Sequence, residues 1–344
     1  MRPKPLLEVE DLKVEFRTDE GVVHAVDGVS FSMQDGEVLS IVGESGCGKS
    51  VTALTILGLT RGPNARISGA VRYHGTDLTT ASSEELQEIR GDRIAMVFQD
   101  PMSSFNPVHR IGDQIVEAIQ AHREISGEEA QRKAVESLAA VGIPDAETRA
   151  RHYPFEFSGG MRQRAMIAMA LALEPAILIA DEPSTALDVT IQAQILELLK
   201  QLNEERGLSV ILITHDLGVV AEIADRVLVM YAGQIVEQAT LDEIFYDPQH
   251  PYTWGLMGSL TRLDQERPDR LPQIKGAPPS LIAPPSGCRF RPRCPHAFDK
   301  CSEPPALEQR LPTTKDHLDR CWLDSSEKKE RREVEGRIGL EVPA

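Results

Sequence analysis

The sequence predicts an α/β fold with a mainly parallel core sheet, an antiparallel β subdomain, a helical subdomain and a proline- and cysteine-rich C-terminal extension. Three observations carry that expectation. An apolar run, Val38 to Val42, leads straight into a glycine-rich loop and then a helix-like stretch. From about residue 37 onward, strand-like apolar runs alternate with helical patterns, the order that builds a parallel sheet. From Leu6 to about Gly36, apolar and polar residues alternate, with Val29, Phe31 and Met33 among the apolar set, as half-buried antiparallel strands do.

The loop is Gly43 to Ser50, G-E-S-G-C-G-K-S, of the form GxxxxGK[ST]. Backbone N–H groups of such a turn, opening at a helix N-terminus, point at phosphate oxygens, where the helix dipole also favours negative charge. Gly43, Gly46 and Gly48 allow the close backbone approach, and Ser45 and Cys47 are further loop positions placed to contact the nucleotide. Lys49 supplies an ammonium for the terminal phosphates and Ser50 a hydroxyl for Mg2+. The bland reading is a plain glycine turn. Lys49 to Leu59 reads as the helix that follows, carrying Val51, Leu54, Ile56 and Leu57. Cys47 has two readings: a small residue filling a tight turn, or an oxidisable thiol whose pKa is lowered by the helix terminus and Lys49.

Further along, the apolar run Ile94 to Phe98 ends at Gln99, a residue type also common in ordinary loops. About Asp100 to Phe157 is charged and mostly helical in pattern, with D-P-M-S-S-F-N-P (Asp100 to Pro107) at its entry. Phe157 to Arg164, F-S-G-G-M-R-Q-R, places Ser158, Gly159 and Gly160 before a helix expected from Met161, a second anion-binding helix terminus. Ile177 to Asp181 is a buried-strand run ending in an acid, with Glu182 next; the pair suits Mg2+ and an attacking water, or a simple helix cap. Val189 to Glu205 repeats Ile191, Ile195, Leu198, Leu199 and Leu202, a core-facing helical stripe. Strand Val210 to Thr214 ends at His215, placed to touch a γ-phosphate or hold the water and Glu182 in register, or to sit as a surface residue.

In these segments the chain resembles the ATP-binding subunits of ABC transporters, in which two subunits sandwich two ATPs between the phosphate loop of one and the signature of the other. On that resemblance Gly43 to Ser50 is the Walker A loop, Gln99 the Q-loop, Ser158 to Gly160 the signature, and Asp181 and Glu182 the Walker B pair. Ala186 to Asp188 matches the D-loop and His215 the H-loop, while Phe157 and Met161 depart from the family's usual Leu and Gln. The resemblance implies ATP and Mg2+ as cofactors, Mg2+ being held by Ser50, Gln99 and Asp181, with Glu182, His215 and Gln99 as the catalytic set. Phe16, closing the alternation Leu12, Val14, Phe16, matches the aromatic that stacks on adenine and equally suits a strand core position. The insertion at about 100–157 corresponds to the helical subdomain that contacts the membrane partner.

After about Leu260 proline becomes dense and no long periodic element appears, so this is read as an extension (261–324) to a 1–260 domain, with a charged tail at 325–344. His250-Pro251-Tyr252 precedes it, and Cys288, Cys294, Cys301 and Cys321 lie within it. Together these resemble the C-terminal extension of oligopeptide and dipeptide importer ATPases. The resemblance implies two transmembrane permease subunits, a second and related ATP-binding subunit, an extracytoplasmic solute-binding protein, and a place at the cytoplasmic face of the cell membrane. Nickel or another small solute as cargo, or a soluble non-transport ABC ATPase, are the alternatives. Four cysteines in a compact proline-rich loop can hold one centre of soft thiolates, and a [4Fe-4S] cluster is expected there, with zinc or unligated thiols as alternatives. Their spacings, five, six and nineteen intervening residues, match neither ferredoxin runs nor paired zinc motifs.

Composition narrows the classes. Lys and Arg number 37 against 53 Asp and Glu, a net charge of −16, which argues against a basic nucleic-acid face. At 344 residues the chain can bury a sizeable core. No apolar run is long enough to span a bilayer and the N-terminus has no secretory apolar region, so a cytoplasmic site of synthesis is expected. Five cysteines, an odd number, favour thiols or metal ligation over disulfides in that setting.

Overall fold

The computed structural model describes residues 4–100, 104–183, 188–258, 274–310 and 316–334. The chain divides into two compact units, one formed mainly by residues 80–213 and the other by 6–33, 39–79 and the chain from 214 onward.

In chain order the strands begin with β1 (Leu7–Thr18), β2 (Gly21–Met33), β3 (Val38–Val42), β4 (Ala65–Tyr73) and β5 (Thr76–Asp77). They continue with β6 (Ile94–Val97), β7 (Ile177–Asp181), β8 (Ser209–Thr214), β9 (Arg226–Tyr231), β10 (Gln234–Thr240), β11 (Glu308–Gln309) and β12 (Leu318–Asp319). The helices used below are α1 (Lys49–Ile56), α2 (Ser83–Ile89), α3 (Ile111–Gln120), α4 (Gly127–Ala140), α5 (Ala146–Arg149), α6 (Gly159–Leu171), α7 (Val189–Arg206), α8 (Leu217–Ile223), α9 (Leu241–Tyr246), α10 (Pro251–Gly258) and α11 (Ser325–Val334).

The first unit is built on three parallel strands in the order β8-β7-β6. Ile177 faces Ile94 on one side and Ser209 on the other, and β7 and β8 are buried along their whole length. Such continuous apolar runs fit strands covered on both faces. The stripe of α7 is where the 3.6-residue period puts it, with Ile195, Leu198, Leu199 and Leu202 buried, and Gly207 ends the helix in left-handed conformation. Between β6 and β7 lie α3, α4 and α5, each of the first two packing an apolar face. Ser126 caps α4 by accepting from the Glu129 amide.

The second unit holds a four-stranded antiparallel sheet, β2-β1-β4-β5, and the strand series β11-β12-β10-β9-β3. β3 pairs with β9 in parallel, while β9 and β10 form an antiparallel hairpin. The structure adds detail to the expectation here. β4 and β5 extend the antiparallel sheet beyond Gly36, and the antiparallel pairs β9–β10 and β10–β12 flank a sheet expected to be mainly parallel. The hairpin turn is Ala232-Gly233, both at positive φ (47° and 83°), the backbone that joins twisted antiparallel strands in two residues.

The segment expected as a charged tail opens with α11. Its Lys328 is 1% exposed and pairs with the equally buried Asp319 of β12 at 2.7 Å. Among the described residues no helix is long and apolar enough to cross a membrane.

Candidate functional site

In the second unit the glycine-rich loop leaves β3 and enters α1 under tight steric control. Gly43 has φ +154°, and a Cβ there would stand 2.2 Å from the Met230 carbonyl oxygen. Gly48, at φ +106°, would bring one to 2.4 Å from the Ala25 carbonyl oxygen. Both obstacles are backbone, so these positions admit only glycine. The Gly233 amide donates to the Cys47 carbonyl at 2.8 Å, fastening the loop to the β9–β10 turn. Lys49 is buried and its Nζ donates to the carbonyls of Gly43 (2.7 Å) and Glu44 (3.2 Å). α1 starts at Lys49 and its N-cap, Gly48, has no side chain to cap it, which leaves the first-turn amides for an anion. The helix ends at Ile56, three residues short of the expected Leu59. Ser45 and Gly46 are exposed and Ser50 is half-buried.

Cys47 departs from its reactive reading. Its side chain is buried, and burial raises the thiol pKa against the opposing pull of Lys49. The residue is a neutral filler of the turn.

The other acid and signature residues sit in the first unit. Asp181 closes β7 and is buried; Glu182 follows in left-handed conformation (φ +48°), its amide donating to the Ile213 carbonyl at 2.8 Å. Gln99, just past β6, donates its amide Nε2 to Glu182 Oε2 at 2.9 Å. The adjacency of β6 and β7 thus brings together two residues 83 positions apart. Ser158 is the N-cap of α6, its Oγ accepting from the Met161 amide at 3.3 Å, so the helix starts at Gly159 rather than at the expected Met161. At Gly160 a Cβ would stand 2.8 Å from Ile191 Cγ2, which explains the glycine by the approach of α7. Asp188 caps α7, accepting from the Ile191 amide at 2.9 Å; Ala186 and Leu187 lie outside the described residues.

His215 lies in the second unit, exposed at the end of β8, and the next residue, Asp216, caps α8 by accepting from the Gly218 amide at 2.8 Å. Phe16 is half-buried on β1 opposite Val23 and Ala65, and its ring is not closed into a core.

Sequence reasoning missed what Tyr252 does. Its hydroxyl accepts a hydrogen bond from the Glu44 amide in the phosphate loop at 2.9 Å, and its ring packs against Tyr231 and Phe290 with centroids 4.6 and 5.4 Å away. Burial pushes the neighbouring His250 down to about 4, and its Nδ1 accepts from the Tyr252 amide at 3.1 Å. The triplet His250-Pro251-Tyr252 was visible, but a contact spanning 208 positions has no local signal.

Cys288, Cys294, Cys301 and Cys321 line one cleft together with Phe290 and His296. None is in a disulfide, and the turn that carries two of them is tied by Cys294 N to Phe290 O (3.0 Å) and Cys288 N to Cys301 O (3.0 Å). Burial raises the thiols of Cys288 and Cys321, the latter to about 12. Among the described residues no group of three or more His, Cys, Asp or Glu side chains is gathered to hold a metal ion. The four cysteines expected to form a thiolate centre stand around one cleft.

Comparison with known proteins agrees with this division of features. Residues 26–185 match the family model for ABC transporters, and residues 236–301 match that for the oligopeptide/dipeptide transporter C-terminal region. A putative peptide import ATP-binding protein of Brucella abortus is 54% identical over 304 residues, 88% of this chain and 91% of the relative. The oligopeptide transport ATP-binding protein OppD of Bacillus subtilis is 52% identical over 326 residues, 94% of this chain and 90% of the relative. Among solved structures, the dimeric ABC transporter cassette MJ0796 is 31% identical with a TM-score of 0.61, covering 68% of this chain and 98% of that one. Its post-hydrolysis dimer bound to ADP and Pi aligns with a TM-score of 0.62, at 31% identity and the same coverage.

Proposed function

This chain belongs to the ABC transporter ATP-binding proteins, in their oligopeptide/dipeptide branch, and from that premise we propose how its residues power peptide import. It is an ABC-type ATPase, and ATP hydrolysis is its reaction. One observation carries the assignment: a single chain joins the cassette to the peptide-transporter C-terminal region and matches peptide-import relatives across both.

The phosphates are received by the amides of Gly43 to Ser50 and by the Lys49 ammonium, which the loop carbonyls already hold at its centre. Hard oxygen donors suit Mg2+, and the Ser50 hydroxyl, Asp181 carboxylate and Gln99 amide oxygen are of that kind; bound there, Mg2+ neutralises phosphate charge. Glu182 orients and deprotonates the attacking water, Gln99 keeps that carboxylate in place through its 2.9 Å bond, and His215 holds the γ-phosphate and water in register. Phosphoryl transfer asks for positioning and electrostatics, so no nucleophilic Ser or Cys takes part. Ser158, Gly159 and Gly160 serve the nucleotide of a second, related ATP-binding subunit, and Phe16 stacks on adenine. Closure of that pair drives two membrane permeases, to which an extracytoplasmic binding protein delivers peptide, at the cytoplasmic face of the membrane. The four cysteines hold a [4Fe-4S] cluster that staples the extension; their shared, largely apolar cleft supports this, because a cluster accepts thiolates spread wider than one ion does.

Reconstitution with its permeases and binding protein in vesicles tests the assignment. ATP-dependent uptake of labelled di- or oligopeptide is expected. Uptake of nickel but no peptide overturns the cargo, and ATP hydrolysis that no permease stimulates overturns the transport role. Anaerobic purification with iron, sulfide and zinc assays tests the cluster; a folded, metal-free protein removes it.

A further inference from the structure

Glu44, the residue after Gly43 in the phosphate loop, is gripped at both ends by residues far downstream. Its amide donates to the Tyr252 hydroxyl, and its carboxylate meets the Arg293 guanidinium as a fork, NH1 to Oε2 at 2.6 Å and NH2 to Oε1 at 3.0 Å. The Arg293 side chain is only 5% exposed while Glu44 is 26% exposed. The remaining donors of Arg293 are also placed: Nε reaches the Lys275 carbonyl at 3.1 Å, NH2 the Ile274 carbonyl at 3.3 Å, and NH1 the Tyr231 hydroxyl at 3.3 Å. Arg293 itself stands on the cysteine turn, its amide donating to the Phe290 carbonyl at 2.9 Å, with Cys294 next in sequence.

The pairing answers an electrostatic problem. A carboxylate in a loop that must receive a polyphosphate repels its own ligand unless a cation neutralises it and turns it aside. The Glu44 carbonyl also helps hold Lys49, so any swing of Glu44 shifts the phosphate-binding ammonium. We propose that Arg293, supplied by the C-terminal extension, is a positioning residue for nucleotide binding: it neutralises Glu44 and fixes the phosphate loop, so that the extension completes the ATP site. This rests on the reading of Gly43 to Ser50 as the ATP phosphate site and goes beyond it, since no motif of the cassette includes Arg293.

The test uses the full-length chain, with MgATP binding measured by calorimetry and ATPase kinetics measured alongside. Arg293→Met keeps an apolar stem of similar reach and removes the charge. It is expected to raise the MgATP Kd and the KM roughly tenfold while kcat stays within about twofold, the pattern of lost binding rather than lost chemistry. The decisive variant is Arg293→Met with Glu44→Gln, which removes the repelling charge as well and is expected to recover most of the affinity. A merely structural clasp gives no such rescue. A parental Kd in Arg293→Met, or a double variant as impaired as the single one, overturns the proposal. Arg293→Gln replaces Arg293→Met if the latter does not fold by circular dichroism, with the same expected and overturning results. Lys49→Ala separates the two levels: lost binding there with a parental Kd in Arg293→Met defeats this inference alone, whereas parental binding in Lys49→Ala defeats the ATP site itself and this inference with it.

Discussion

Glu182 holds a backbone conformation that costs a non-glycine residue free energy, and such strain persists where the surroundings enforce it. Here the Ile213 carbonyl takes its amide and Gln99 takes its carboxylate, so the side chain is aimed before any substrate arrives. Glu182→Gln is therefore expected to keep MgATP affinity near the parental value and lose at least about a hundredfold in kcat, the scale of a missing general base. Steady-state hydrolysis with calorimetry measures both, and near-parental turnover would reassign the base. Cys47 gives a second expectation at this scale: with its thiol buried and its pKa raised, it should escape maleimide labelling at neutral pH in the folded protein, and Cys47→Ala should bind MgATP as the parent does. Mass spectrometry of the labelled protein locates the adducts. These residues also mark how far local sequence goes. The places of Lys49, Asp181 and Glu182 at a helix start and a strand end were legible because strand, turn and residue type coincide within a few positions. Cys47 was legible in position but not in character, because the strand packing that buries it lies outside the motif. Tyr252 and Arg293 were illegible in role, since each meets Glu44 across more than two hundred residues.

Single elements show why the C-terminal strand and helix stay attached. β12 pairs with β10, and across that pair Glu237, fully buried, accepts from the amides of Gln249 (2.5 Å) and His250 (2.9 Å) and meets His317 Nε2 at 2.8 Å. Burial pushes each group toward neutrality, but the pair wins: the carboxyl is held below its ordinary 4.5 and the imidazole above its ordinary 6.5. A raised histidine contributes stability that is complete below pH 6.5 and lost as pH climbs through the folded pKa; a depressed carboxyl contributes stability present above pH 4.5 and lost as pH falls through its own. Denaturant midpoints should therefore decline on raising pH from 6.5, and His317→Gln should flatten that decline. An unchanged slope in the variant would place the titration elsewhere. α11 docks by a different bond. Lys328→Met removes the nearer cation from buried Asp319, leaving Arg310 Nε at 3.8 Å, and should cost at most about 3–5 kcal/mol of unfolding free energy, with Asp319→Leu in the same chain recovering most of it. β10 also shows why its edge escaped the sequence reading. Ile235 to Ala239 are all buried, Glu237 and Gln238 included, so no two-residue alternation marks the strand, and only the Ala232-Gly233 turn reveals its antiparallel direction.

At the scale of the whole molecule, the domain boundary expected near residue 260 does not mark where packing stops. The sequence shows proline density and no periodic element there, which identifies an extension without saying what it packs on. Phe290, 2% exposed, belongs to the same apolar cluster as Val42 of β3, Tyr231 of β9 and Tyr252 and Met257 of α10, with Ile274, Leu281, Cys288 and Cys294 against it. That cluster adjoins the phosphate loop, which leaves β3 directly after Val42 and whose Glu44 amide donates to the Tyr252 hydroxyl. The extension is thus part of the core that shapes the loop, and its loss exposes rings that are now almost wholly buried. Phe290→Ala should cost about 3–5 kcal/mol, the range for deleting a buried aromatic ring. A chain ended at Gly258 loses every apolar partner the extension supplies, and should bind MgATP weakly, bind apolar dye strongly and unfold at lower denaturant than the full chain. A truncated chain with parental affinity and midpoint would instead make the extension a separable module, and would leave the shared cluster without energetic weight. Physical coupling favours the first outcome, because Tyr252 keeps its register with Glu44 while its ring packs in one cluster with Phe290 and Tyr231.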